Sequence, residues 1–198
     1  MLELYLFVNP LGQTCYQVEQ ELLQLIQQSP TKVNLRFIPF LNLQTASNLV
    51  QENPHRNCHE LSKELSQAAL DYKAALFQGQ KRGRQFLMKI QEGFAQYGSY
   101  NHDLVLQAAK ASQLDWDMFA SDRQAEFTIQ SFHKDQRLAN QMQVKANPTI
   151  VLENVDNLDC SLVLSIHEFK EILPQILPSS EPKSCQMKLC TEHQKHFN

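Results

Sequence analysis

The first residue of this chain that could do chemistry is a cysteine at the start of a helical pattern. An apolar stretch, Leu2–Val8, runs through Asn9-Pro10-Leu11-Gly12-Gln13-Thr14 into Cys15, after which apolar positions recur at helical spacing. A thiol at that place is the second half of a Cys-x-x-Cys redox turn, in which the first cysteine attacks a disulfide and the second resolves the adduct. Gly12 stands where the attacking thiol would be. Cys15 alone therefore cannot complete dithiol exchange. Two readings remain: a monothiol that forms mixed disulfides, or a buried, inert cysteine acting as a small hydrophobe. Reactivity needs exposure and a lowered pKa, whereas the second thiol of such a turn is ordinarily buried, where desolvation raises it.

Four other groups carry chemical types worth weighing. Ala146-Asn147-Pro148-Thr149 leads straight into the apolar run Ile150–Leu152, and an X-Pro bond at the head of a strand is a natural place for the cis form. The alternative is an ordinary trans proline opening an edge strand. Near the C-terminus, Cys185, Cys190, His193 and His196 put two thiols and two imidazoles close together, ligand types that suit zinc. Their spacing is not that of a zinc finger, whose ligand pairs stand about a dozen residues apart, and the competing reading is a solvated tail with reduced thiols. Cys58 between His55 and His59 is read as coincidence, and Lys81-Arg82-Gly83-Arg84 as a docking patch or a solvated helix connection. No Gly-rich phosphate loop, Ser-His-Asp spacing or catalytic carboxylate pair stands out.

The totals exclude several classes. A net charge of −3 supplies no concentrated excess of Lys and Arg, so a nucleic-acid partner is not expected. No apolar run approaches the roughly 18 residues of a membrane span, so no membrane partner is expected either. At 198 residues, with 42% hydrophobic and 20% charged residues, the chain reads as one globular domain or one domain with a large insertion. Five cysteines without disulfide-framework spacing, and no secretory signal at the start, point to a reducing, cytoplasmic setting.

The elements that must position Cys15 follow from periodicity. Leu2–Val8 is apolar nearly throughout, as a strand buried on both faces should be. Val18, Leu22, Leu25 and Ile26 give a helix over Tyr16–Gln28, stopped by Ser29-Pro30; Val33–Phe40 is a second strand, parallel to the first in a β-α-β unit. Residues 53–125 show only helices: one through Leu61, Leu65, Ala68, Ala69 and Tyr72, one through Phe86–Phe94, and one over Leu104–Ala111 behind an Asn101 N-cap. Ser121 is expected to cap a longer helix through Gln143, with Phe127, Phe132, Leu138 and Met142 inward. Thr149–Glu153 and Cys160–Ile166 form an antiparallel hairpin around a turn at Asn154–Asn157, followed by a helix over His167–Leu177. The fold class is α/β. Residues 1–45 and 126–177 would form one domain, residues 46–125 a helical insertion, and residues 178–198 a polar Cys/His-containing tail.

Strand, Pro10-Leu11-Gly12-Gln13-Thr14-Cys15 turn, helical insertion, Leu114-Asp115-Trp116-Asp117-Met118-Phe119 and Ala146-Asn147-Pro148-Thr149-Ile150 together resemble a DsbA-like thioredoxin domain over residues 1–177. The nearest branch is the SpxH (YjbH) adapters of Firmicutes, whose turn typically reads Pro-Leu-Cys-Pro-x-Cys; here the first cysteine and the following proline are replaced by Gly12 and Gln13. The resemblance implies a thioredoxin-like mixed sheet with an inserted helical domain. It implies a cis Pro148 loop facing the Gly12–Cys15 turn, so that Pro10, Leu11, Asn147, Pro148 and Thr149 shape a peptide-binding surface. It also implies a non-catalytic adapter that binds the stress regulator Spx and promotes its degradation by the Clp protease machinery, ClpXP. Family members carry a zinc-associated Cys/His segment toward their N-terminus; the only comparable segment here is the tail. The rival readings are a degenerate, monothiol DsbA-like thiol-disulfide oxidoreductase or isomerase and, more remotely, a glutathione-dependent isomerase of the 2-hydroxychromene-2-carboxylate type, which uses a serine at the turn.

Overall fold

The computed structural model describes residues 2–28, 32–154 and 161–176. Along the chain run β1 (Leu2–Val8), α1 (Gln13–Gln27), β2 (Val33–Pro39), α2 (Leu43–Glu52), α3 (Cys58–Leu76), α4 (Gln80–Tyr97), α5 (His102–Ala111) and α6 (Trp116–Asp122). They are followed by α7 (Glu126–Gln141), β3 (Thr149–Asn154), β4 (Ser161–Leu164) and α8 (Ile166–Ile176). The sheet order is β2-β1-β3-β4. β1 pairs with β2 in parallel and with β3 antiparallel, and β3 pairs with β4 antiparallel. A helical crossover through α1 permits the parallel pair. The βαβ unit and the closing hairpin are those expected from periodicity; the hairpin turn lies outside the described residues.

The apolar run in β1 has a packing cause. Leu4, Leu6 and Val8 join Leu35, Phe37, Ile150 and Leu152 in the main core with α1, α3 and α4. Tyr5 and Phe7 point the other way, into a smaller cluster with Ile38, Val151, Ala139 and Val144. Successive side chains of a strand face opposite sides, so a central strand covered twice must be apolar throughout.

Between β2 and α7 the chain is entirely helical. Asp71 on α3, fully buried, organises this block: it accepts from Tyr100 Oη at 2.6 Å, Gln67 Nε2 at 2.7 Å, and Arg123 Nε and Nη2 at 2.7 Å each. Tyr72, the next residue, donates to the Phe37 carbonyl at 3.1 Å and ties α3 to the edge strand β2. Asn101 caps α5 as expected, its Oδ1 accepting from Leu104 N at 3.0 Å. Gly98 ends α4 in the left-handed region at φ 68°, a conformation that costs glycine little.

Two expectations are corrected. Ser121 is no N-cap: it lies inside α6, whose cap is Asp115, and α7 starts only at Glu126. Asp115 Oδ1 takes the Met118 N–H at 2.9 Å, starting a separate short helix that the apolar periodicity does not announce. The inward face of α7 carries Thr128, Asp135 and Ala139, while Phe127 is 49% exposed. Polar residues hold that face because each finds a partner: Thr128 Oγ1 donates to the Asp122 carbonyl at 2.6 Å, and Asp135 meets the buried Lys73 ammonium at 2.6 Å. Phe132, Leu138 and Met142 are half-buried. Helix α2 is an element the periodicity did not reveal.

Candidate functional site

The turn after β1 is built around one buried asparagine. Asn9 Oδ1 accepts from Leu11 N at 2.9 Å, its carbonyl accepts from Gly12 N at 3.1 Å, and its own N–H points at Cys15 Sγ at 3.2 Å. This holds the chain in the tight bend that starts α1 at Gln13, so Cys15 is the third helical residue. A β-carbon on Gly12 would lie 3.0 Å from Asn9 Cβ, tighter than an ordinary contact.

Cys15 is 2% exposed. Two influences compete for its proton. The start of a helix favours a thiolate, as does the Asn9 N–H. Desolvation opposes them and wins: burial pushes the thiol well above its ordinary value, and the carboxylates of Glu19 and Glu52 push it the same way. At neutral pH this sulfur is a protonated, buried thiol at the edge of the turn.

One helical turn further, Glu19 is fully buried, a position that sequence reasoning passed over. Its Oε1 accepts from Gln91 Nε2 of α4 at 2.8 Å, and Gln91 Nε2 also lies 3.3 Å from the Asn9 carbonyl. Burial pushes Glu19 up to about 8, against the opposing pull of the Gln91 amide. Among the described residues, Glu19 Oε2 and Gln91 Oε1 have no hydrogen-bond partner. The available signal was spacing, since Glu19 sits four residues after Cys15 and three before Leu22, on the face that must turn inward.

The Asn147–Pro148 bond is cis. Asn147 Nδ2 donates to the Phe40 carbonyl at 2.7 Å and lies 3.0 Å from Thr45 Oγ1, while Asn42 Nδ2 donates to the Lys145 carbonyl at 2.9 Å. These bonds pin the proline loop against the start of α2, where Asn42 also serves as N-cap, taking Thr45 N at 2.8 Å. Gln136 of α7 completes the frame, accepting from Leu41 N at 3.0 Å and donating to the Pro39 carbonyl at 2.7 Å. A small cleft of about 80 Å3 results, bounded by Gly12 and Thr14 of the turn, Gln44 and Asn48 of α2, and Ala146 and Asn147 of the loop.

The structure thus brings the turn and the proline loop together. Of the expected surface residues, Pro10 and Leu11 are buried. Gln13 and Thr14 are the exposed turn residues, Asn147, Pro148 and Thr149 are half-buried, and Leu43 at the head of α2 is 92% exposed. The α2 contribution was missed, although Asn42 three residues before Thr45 is a capping signal. Among the described residues no group of three His, Cys, Asp or Glu side chains could hold a metal. Cys185, Cys190, His193 and His196 lie outside the described residues.

Against this geometry the comparisons with known proteins are consistent. The thioredoxin family model matches residues 5–174. The chain belongs to the thioredoxin family. Within it, this thioredoxin-family chain is 26% identical to the ClpXP adapter protein SpxH of Bacillus subtilis, across 92% of the chain and 69% of that relative. It is 28% identical to the ClpXP adapter protein SpxH of Bacillus licheniformis, across 93% of the chain and 70% of the relative. The oxidoreductase DsbA from Xylella fastidiosa superposes with a TM-score of 0.60 at 11% identity, over 89% of this chain and 84% of that one. At that identity the likeness speaks for the fold, which is DsbA-like.

Proposed function

We infer that this chain is a non-catalytic adapter of the SpxH kind, which binds a Spx-type regulator and presents it to the ClpXP protease. The observation that carries the reading is the fate of the active-site turn. Its first thiol is replaced by Gly12, and its second, Cys15, is buried and held protonated. The cleft beside the turn nevertheless persists, framed by α2 and the cis-proline loop. A surface kept without its nucleophile suits a protein that holds partners rather than transforms them, because backbone pairing with an extended segment needs no thiol. The SpxH relatives, aligned over nine-tenths of the chain, support the same reading. Gln13, Thr14, Leu43 and the Asn147–Thr149 loop are the proposed contacts for the regulator. A reducing, cytoplasmic setting fits a chain whose Cys15 and Cys58 are free thiols.

The test is degradation of purified Spx by ClpXP with and without this protein. Acceleration that survives Cys15→Ser supports the adapter. Absence of acceleration, together with reduction of a small disulfide that Cys15→Ser abolishes, would replace it with the monothiol oxidoreductase.

A further inference from the structure

A second face, away from the turn cleft, gathers positive charge on an acidic chain. The guanidinium of Arg36 on the edge strand β2 lies 5.4 Å over the Tyr5 ring. Arg36 lines a cavity of about 210 Å3 with Phe37, Lys73, Phe77, Gln80 and Ser131, contributed by β2, α3, α4 and α7. Gln80 opens α4, and the next residues are Lys81, Arg82, Gly83 and Arg84. Lys81 and Arg82 are exposed, and Arg84 reaches back to the edge strand, its Nη1 3.4 Å from the Leu35 carbonyl. None of Arg36, Lys81, Arg82 and Arg84 forms a salt bridge among the described residues. Lys73 differs, since Asp135 already neutralises it at 2.6 Å. The nearby Asp115 is occupied as the cap of α6.

This arrangement runs against helix electrostatics. The first turn of α4 has no acidic residue and no side-chain cap, and two cations, Lys81 and Arg82, stand where the helix field favours anions. Beside them, Phe77 and Phe127 are 44% and 49% exposed, packed edge to face with centroids 4.9 Å apart. A paired aromatic surface next to a cavity and to cations, of which Lys81 and Arg82 are exposed, has the anatomy of an interface core with a charged rim.

The geometry points to a docking face for an acidic protein segment: carboxylates meet Arg36, Lys81, Arg82 and Arg84, and a bulky apolar side chain of the same segment seats on Phe77 and Phe127. Charge complementarity selects this occupant. Opposite charges steer the approach and fix register, while the aromatic pair supplies desolvated contact area. Four cations on a chain of net charge −3 are too few for the phosphate neutralisation on which nucleic-acid binding depends. The inference goes beyond the adapter reading by giving the chain a second face built from other residues than those of the turn cleft. Its test contains no protease and no Spx, so its failure and that of the adapter reading are separate results.

The probe is a fluorescein-labelled peptide of Glu-Asp-Phe-Leu repeats, followed by fluorescence anisotropy on the full chain. The expected result is saturable binding that weakens as salt rises and weakens about tenfold or more when Gln and Asn replace the peptide's acids. Lys81→Glu with Arg82→Glu is expected to weaken binding about tenfold, and Phe127→Ser about threefold to fivefold. Acids in the first turn of a helix are stabilising and Phe127 is already half exposed, so unfolding is not the explanation of those losses; melting curves check this. Three results would overturn the proposal: no binding up to about 1 mM peptide, equal binding by wild type and both variants, or equal binding of the acidic and amide peptides. Tighter binding of an oligothymidylate, lost in the same variants, would also overturn it and assign the face to nucleic acid.

Discussion

Replacing Glu19 by glutamine should make the protein more stable at pH 8 and leave it nearly unchanged at pH 5. The buried carboxyl titrates at about 8 in the folded state, against an ordinary 4.5. Between those values the native state keeps a proton that the unfolded chain has released. Stability therefore falls as pH rises, by about 1.4 kcal/mol per unit while the full proton difference holds. From pH 5 to pH 8, where the native carboxyl is half ionised, the loss amounts to about 3.5 kcal/mol, a large part of a typical domain's stability. The hydrogen bonds give the cause. Protonated, Glu19 turns Oε2 into a donor, and the unpartnered Gln91 Oε1 is the acceptor type it needs. Ionised, the carboxylate sits fully buried, and the Gln91 amide that donates to it does not offset the desolvation. Glutamine carries an amide donor at the same place at every pH. Urea unfolding of wild type and Glu19→Gln at pH 5, 6, 7 and 8 measures the difference curve, in which other titrating groups cancel. The expected variant advantage grows from within about 1 kcal/mol at pH 5 to several kcal/mol at pH 8. Parallel pH profiles for the two proteins would refute the argument, because they would mean that Glu19 is ionised in the native state without cost.

Three further predictions test other parts of the structure. Iodoacetamide at pH 8 should label Cys58 in the native protein and Cys15 only on unfolding; Gly12→Cys should add a reactive thiol and measurable exchange with a small disulfide, at a cost of about 1 kcal/mol for displacing Asn9, read by denaturation. Asp71→Ala should destabilise by about 3–5 kcal/mol, because it strands Arg123 and Tyr100 in the interior; urea unfolding of variant against wild type reads the change. If Cys185, Cys190, His193 and His196 hold zinc, protein purified without chelator should contain near-stoichiometric metal by elemental analysis, lost in Cys185→Ser with Cys190→Ser; metal-free wild type would end that proposal.

What the sequence determined by itself was local. The unbroken apolar run of β1 required cover on both faces, Asn101 announced the start of α5, and the spacing after the turn placed Cys15 at the start of a helix. Each of these depends on neighbours a few residues away, where spacing and backbone preference act directly. Tertiary structure alone decided the chemistry of the turn. Remote elements bury Cys15 and push its thiol up, and Glu19 holds its proton in a pocket closed by Gln91, 72 residues along the chain. The cleft depends on Asn147 reaching the Phe40 carbonyl across 107 residues, which no periodicity records. Exposure and dielectric belong to the packed neighbourhood rather than to a residue type, and pKa follows exposure and dielectric. For that reason the sequence could name the residues at this site, and only the folded chain could say which of them face solvent and which hold a proton.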